Sequence, residues 1–401
     1  GQKITLHSMK KDFNRFAFKS TFLFSLLIWS YSHLSAQTTV LPGAFQQEYL
    51  LQLKGKKVGV VAHQASLLPS AASSLHLVDY LLEKNINLQG VFAPEHGFRG
   101  TADAGEKVEN QTDSKTGLPI ISLYGKNRKP TKEQLAGLDI MVFDLQDVGV
   151  RFYTYLSTLH NVMEACAENN IPLIVLDRPN PNIHYVDGPV LEEEHTSFVG
   201  MHPVPIVYGM TIGEYAQMIN GEGWLKDSIR CELTVMPIKN YSRASTYELP
   251  VRPSPNLPNA KAIALYPSLC LLEPTVISVG RGTDHQFQIY GHPKLPKSDF
   301  SFTPLPNFGS KTPKHKGLLC FGEDLTKVTP AKQVELKWLI HAFQNFPDPE
   351  AFFLKGFERI AGNSSLRKQL SSGMEENDIR NSWKPQLQEF KKIRARYLIY
   401  R

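Results

Sequence analysis

Four short apolar runs near the start of the chain each break off into a polar cluster, and this constrains the fold more than any other feature. Lys57–Ala62 (KVGVVA) runs into His63-Gln64, and Leu88–Ala93 into Pro94-Glu95-His96-Gly97. Asp139–Phe143 (DIMVF) runs into Asp144-Leu145-Gln146-Asp147, and Pro172–Leu176 (PLIVL) into Asp177-Arg178-Pro179-Asn180. Between the runs, apolar residues recur at helical spacing: Leu75, Val78, Leu81 and Leu82, then Leu156, Leu159, Met163 and Ala167. Near-continuous apolar strands alternating with helices imply a parallel sheet covered on both faces. The four carboxyl ends then share one edge, where open α/β sheets place their ligands. One strand ending in Asp is turn chemistry; four polar strand ends predict a functional cleft.

The motifs that would make this a nucleotide or acyl-transfer site are missing. The first strand is followed by HQASLLPSAASS, without a glycine to cradle a phosphate. Gly280-Arg281-Gly282 begins a glycine pattern that fails at its third position, where His285 stands, and neither G-x-x-x-x-G-K-[ST] nor G-x-S-x-G occurs. No cofactor is therefore expected. The formal charge of +6 hints at nucleic acid, but Lys3, Lys10, Lys11, Arg15 and Lys19 against Asp12 put most of it in residues 1–36. The remainder is nearly balanced, so no nucleic-acid partner is expected.

That amino end reads as a signal peptide, residues 1–36, with Gly1–Ser8 as extra residues before Met9. A basic stretch (MKKDFNRFAFKS) precedes an apolar one (TFLFSLLIWSYSHL), and Leu34-Ser35-Ala36 supplies small residues for cleavage before Gln37. The apolar run is too short to span a hydrocarbon core about 30 Å thick. The mature chain is expected to be exported, periplasmic or extracellular, with no stable membrane span. Cys166, Cys231, Cys270 and Cys320 form no C-x-x-C pair and read as buried thiols.

The parallel-sheet domain is expected over 45–240. Thr211-x-x-Glu214 is a capping box for a helix to about Asn220, and Leu233–Met236 is a further strand. Five prolines between Pro237 and Pro258 mark a rigid crossing, placed at 241–258, into a smaller α/β domain over 259–401. Its carboxyl part is helical over Val334–Phe346 and again from Pro385 to about Tyr397.

Carboxylates dominate the strand-end cluster. Glu95, between Pro94 and His96-Gly97, has no cap or turn role; Asp103 and Glu106 follow in the same loop. Paired acids suit general acid–base work on a poor leaving group, as in glycoside cleavage. Tyr153 and Tyr155 beside Arg151 offer faces and donors for sugars. Two readings from other classes stand beside it. One is a metal-dependent hydrolase of cell-wall material using His63, His96, Asp103 and Asp144, though no H-x-x-x-H or H-x-H spacing supports a metal site. The other is a non-catalytic glycan-binding protein.

The segments FAPEHGFRG (92–100), AGEKV (104–108), FDLQDVGVRFYTY (143–155), LDRPNP (176–181), DGPVL (187–191), VYGMTIGEYA (207–216), PSPNLP (253–258), YPSLCLLE (266–273) and SVGRGTDHQFQIYG (278–291) resemble one secreted bacterial family. It is the family of NamZ-type exo-β-N-acetylmuramidases, formerly a domain of unknown function, and the resemblance covers about 45–401. It implies a Rossmann-like parallel-sheet domain, a smaller α/β partner and an active cleft between them. It implies release of terminal β-1,4-linked N-acetylmuramic acid from the non-reducing end of peptidoglycan fragments.

On that resemblance Glu95 is expected to protonate the glycosidic oxygen. Asp144, Asp147 and Glu106 are candidates for the second catalytic group, acting on water, as nucleophile, or by orienting the substrate's own acetamido group. The lactyl carboxylate of muramic acid calls for an arginine fork. Arg281, between two glycines, is the first expectation, with Arg151 and Arg178 as alternatives. His96, Arg99, Gln146, Tyr153, Tyr155, Asn180, Asn256 and Asp284 are the remaining expected substrate contacts.

Overall fold

The four apolar runs become the middle of a seven-stranded sheet. Across it the strands lie in the order 233–236, 173–176, 140–144, 57–62, 87–93, 119–122 and 111–112. The computed structural model describes residues 39–68, 74–98 and 111–401, so the expected leader lies outside the described residues. Neighbouring strands are parallel except 111–112, which runs antiparallel to 119–122. The chain fills one half of the sheet outward from 57–62, returns to its other side at 140–144 and fills the second half. That is the doubly wound order with its switch point between 57–62 and 140–144.

Both sheet faces are buried because successive side chains on a strand alternate sides. Val58, Val60 and Ala62 enter one apolar layer with Val91, Val142 and Ile174. Val61 enters the other with Phe92, Met141, Phe143 and Val175. The helices Leu77–Glu83, Tyr155–Glu168 and Ile212–Gly221 flank this sheet. The last begins with the expected capping box: Thr211 Oγ1 accepts from Glu214 N at 3.2 Å, and Glu214 Oε2 accepts from Thr211 N at 3.0 Å.

The smaller carboxyl-terminal domain holds the helix Ala260–Leu269 and a three-stranded antiparallel sheet of 289–292, 320–324 and 301–302. Four helices follow, at 337–345, 357–361, 365–371 and 376–395. The final helix starts nine residues before Pro385 and carries that proline inside it. Ile379, Trp383, Leu387 and Phe390 bury its inner face, and that burial outweighs the hydrogen bond the proline removes.

The chain then returns to the large sheet. Tyr400 donates its hydroxyl to Asp177 Oδ2 at 2.5 Å, at the end of strand 173–176. The amides of Ile399 and Tyr400 donate to Glu214 Oε1 at 2.7 and 3.1 Å. Thr211 Oγ1 and Gly213 N also donate to Asp177, yet its complete burial raises the carboxyl to about 7. No helix among the described residues is long and apolar enough to cross a membrane.

Candidate active site

Strand 87–93 delivers Glu95 to the sheet edge, and His96 and Gly97 turn the chain away with φ of 71° and 74°. Two consecutive left-handed residues make a sharp turn that leaves Glu95 at its apex. Thr154, just before the helix Tyr155–Glu168, donates its hydroxyl to Glu95 Oε2 at 2.7 Å. Tyr155 donates to the Glu95 backbone oxygen at 3.3 Å. Tyr124, two residues beyond strand 119–122, shares a hydrogen bond with the Glu95 carboxylate. Burial, with that charge beside it, pushes the Tyr124 phenol up to about 12, so the group remains a proton donor. Glu95 is thus nine-tenths buried and aimed by one side chain just past the end of strand 119–122 and one at the start of the helix Tyr155–Glu168.

These residues line a cavity of about 360 Å³, within the range of small-ligand sites. The large sheet contributes Glu95, His96, Tyr124, Phe152, Tyr153 and Thr154. Asn256 comes from the proline-rich crossing, and Tyr266, Glu273, Arg281, Phe287 and Arg359 from the smaller domain. Tyr266 packs edge-on against Phe152 and Phe287, with ring centroids 5.4 and 4.9 Å apart, giving the wall an aromatic band. Such rings offer apolar faces to the C–H side of a sugar.

Arg281 lines the cavity, but its fork is occupied. Nε lies 3.1 and 3.0 Å from the two carboxylate oxygens of Glu273, and Nη2 lies 2.9 Å from Oε2. Burial alone would raise the Glu273 carboxyl, but the Arg281 charge brings it below its ordinary value. Glu273 and Arg281 form a neutral pair in the wall. Glu95 is the other carboxylate the described residues bring to the cavity.

Of the expected contacts, Glu95, His96, Tyr153, Asn256 and Arg281 come together here. The remaining strand-end residues lie behind the cavity and tie loops to one another. Asp144 is fully buried and takes Arg178 in a fork, Nε to Oδ1 at 2.5 Å and Nη2 to Oδ2 at 2.8 Å. Both Asp144 oxygens and two Arg178 nitrogens are thereby spent at the switch point. Asp147 accepts from Gly149 N at 2.9 Å and from the Tyr208 hydroxyl, while its Oδ1 has no partner. Complete burial raises Asp147 to about 6.

Gln146 donates to the Asp147 and Pro179 oxygens, both at 2.8 Å, and Asn180 donates to Met210 O at 2.8 Å. Tyr155 sits against His63, whose other ring nitrogen accepts from Gln146 N at 2.9 Å. Both His63 nitrogens are therefore used inside the protein, which removes it from a metal ligand set. Asp284 is exposed on a turn away from the cavity. Arg99, Asp103 and Glu106 lie outside the described residues.

Arg151 does not line this cavity either. Nη1 donates to Pro189 O at 2.7 Å and Val204 O at 2.9 Å; Nη2 donates to Ile360 O at 2.9 Å and Ala361 O at 2.8 Å. It joins the two domains through four carbonyls, with no carboxylate partner among the described residues, and burial lowers its pKa to about 9.

Sequence reasoning missed Tyr124, Thr154, Arg128, Phe198 and Arg359. Thr154 sat between two tyrosines that were singled out. Strand 119–122, only four residues long, gave no periodic signal from which to reach Tyr124.

Comparison with known proteins agrees with this architecture. The profile described as Exo-beta-N-acetylmuramidase NamZ, N-terminal, matches residues 58–261, and its C-terminal counterpart matches 264–400. The chain is 42% identical over 375 residues to the peptidoglycan beta-N-acetylmuramidase NamZ of Bacillus subtilis, covering 88% of this chain and 89% of that protein. A DUF1343 family protein of Bacteroides fragilis has a crystal structure similar to this one, with a TM-score of 0.84 and 43% identity over 91% of this chain and 99% of its own. A second such protein of that organism gives 0.77 and 29%, over 90% and 99%.

Proposed function

This chain belongs to the NamZ family of exo-β-N-acetylmuramidases, and we propose that it is an exported glycoside hydrolase releasing terminal N-acetylmuramic acid from the non-reducing end of peptidoglycan fragments. The observation that carries the reading is Glu95: a buried carboxyl held by two hydroxyls, facing an aromatic cavity between two domains that both match the family. The tripartite leader over residues 1–36 supports export.

Glu95 supplies the proton to the departing glycosidic oxygen. Thr154 and Tyr124 fix its carboxyl, so little reorganisation is needed when the bond breaks. The aromatic band holds the terminal sugar. Among the described residues the only other carboxylate lining the cavity is Glu273, which is held by Arg281. This favours attack by the substrate's own acetamido oxygen, an internal nucleophile that any N-acetylated sugar carries. Glu106 is the competing candidate. A cyclic thiazoline mimic of the attacked sugar should inhibit strongly, while Glu106→Gln should keep most activity. Loss of activity in the Gln variant without thiazoline inhibition would return the role to Glu106.

The function itself is tested by product analysis. Muramyl-containing disaccharides and longer glycans should release free N-acetylmuramic acid from the non-reducing end only. Release from the other end, or none from any fragment, would overturn the reading.

A further inference from the structure

A muramic acid residue differs from N-acetylglucosamine only by the lactyl ether at its 3-position, which ends in a carboxylate. Three arginines line the cavity, and they differ in what they are free to do. Arg281 is neutralised by Glu273 through three hydrogen bonds. Arg128 and Arg359 form no ion pair with any described residue, and both are exposed at the cavity.

Their backbones, by contrast, are anchored. Arg128 sits on the loop between strand 119–122 and the helix Lys132–Leu135. Its carbonyl accepts from Asn161 Nδ2 at 3.1 Å, and neighbouring Lys129 is clamped to Glu164 and Glu168 at 2.7 and 2.8 Å. The Arg128 guanidinium lies 4.4 Å over the Phe198 ring, which orients its plane and leaves its N–H edge unspent. Arg359 rides on the short helix Phe357–Ala361, and Arg151 grips the carbonyls of the next two residues. With Glu273 and Arg281 cancelling, these two cations outnumber Glu95, the one remaining acid among the described lining residues. A cavity so charged selects an anion.

We propose that Arg128 and Arg359, one from each domain, bind the lactyl carboxylate and set the preference for muramic acid, and that Arg281 shapes the wall. The inference rests on the muramidase reading above. Two guanidinium groups on anchored backbones can answer a carboxylate with directed hydrogen bonds that no neutral 3-hydroxyl returns.

The test removes the charge from either side. Chromogenic β-glycosides of N-acetylmuramic acid, its lactyl methyl ester and N-acetylglucosamine are compared in wild type, Arg128→Ala, Arg359→Ala and Arg281→Ala. Esterification should lower wild-type kcat/KM by about ten- to a hundredfold, and each of Arg128→Ala and Arg359→Ala should lower it similarly on the free acid. On the ester and the glucosaminide the two variants should match wild type, because the contact they lost was never made there. Equal losses on all three substrates, or coupling to the ester seen with Arg281→Ala instead, would overturn the assignment.

Calorimetric binding of N-acetylmuramic acid and its ester to Glu95→Gln reads the same contact without turnover. Preference for the free acid there, lost on adding Arg128→Ala, sustains the assignment even if catalysis runs through another acid. Equal binding of acid and ester rejects it while leaving the hydrolase reading intact.

Discussion

Gly362, with φ of 88°, lies so close to Arg151 Nη2 that a side chain at 362 would overlap the guanidinium. Elsewhere a long side chain would swing aside. Here the guanidinium is buried and holds four carbonyls from two domains, so it has nowhere to go. Arg151, an alternative to Arg281 for reading the substrate carboxylate, is instead the rivet that sets the smaller domain against the sheet, and the last carbonyl it holds, that of Ala361, lies one residue short of Gly362.

Gly362→Ala should therefore cost about 2–4 kcal/mol, from left-handed strain together with displacement of Arg151. Urea unfolding at neutral pH measures it. An unchanged midpoint would show that the rivet yields.

Glu95→Gln keeps the size and hydrogen bonding of the side chain but carries no transferable proton. General acid catalysis contributes roughly 10²–10⁴-fold, and kcat on natural disaccharide should fall within that range. A leaving group that needs no protonation should recover part of the loss. Near-normal turnover by the folded variant would remove Glu95 from the role.

Tyr124→Phe deletes one of the two hydroxyls that aim Glu95. A hydrogen bond to a charged group is worth about 1.5–3 kcal/mol, so kcat should drop by roughly ten- to a hundredfold with KM little changed. The phenol is pushed up to about 12 and stays protonated across the working range, so the wild-type pH profile should show no limb from it. A rise in KM with kcat intact would mean that Tyr124 binds sugar rather than holding Glu95.

Asp144 and Arg178 make a buried ion pair, and breaking one is worse than deleting both. Asp144→Asn should destabilise by about 3–5 kcal/mol by leaving the Arg178 charge unanswered, whereas Asp144→Leu with Arg178→Met should recover much of that. If the double variant folds and still cleaves muramides, Asp144 is excluded as the second catalytic group. A folded but inactive double variant would reinstate it.

Asp147 gives a stability signature with a definite sign. Burial raises it from 3.8 to about 6. Between those values the native state keeps a proton that the unfolded chain has released, so stability falls as pH rises through the window and stays reduced above it. Two pKa units correspond to about 3 kcal/mol. Asp147→Asn, which carries no such penalty, should gain up to that amount relative to wild type between about pH 4 and pH 7. A difference that does not vary with pH would show that Asp147 titrates normally.

The parallel sheet and its loaded edge were legible because both depend on periodicity, which a single sequence displays. Thr211 and Glu214 announced a helix start for the same reason: their partners are three residues apart. Glu95 was legible because no cap or turn explained it. The division of labour along the edge was not. His63, Asp144, Gln146 and Arg178 are the residue types that hold ligands, and they are equally the types that lock neighbouring loops at a switch point. Only three-dimensional pairing separates the two uses. Arg281 illustrates this, since its glycines were visible but Glu273, on the preceding turn, was not readable as its partner. Arg128 and Arg359 lie 231 positions apart, with no local pattern to join them.

The bond between Tyr400 and Asp177 spans 223 positions, and its consequence is one of timing. Strand 173–176 is made early, yet the donor that closes its end is synthesised 223 residues after Asp177. Until then the larger domain can collapse, but Asp177 and Glu214 lack their final partners and the sheet edge stays unsealed. Contacts this distant in sequence slow folding. For a chain proposed to cross a membrane before it works, slow closure is useful: a polypeptide that has not finished folding can still be threaded through a pore, and this sheet edge stays open until Tyr400 arrives.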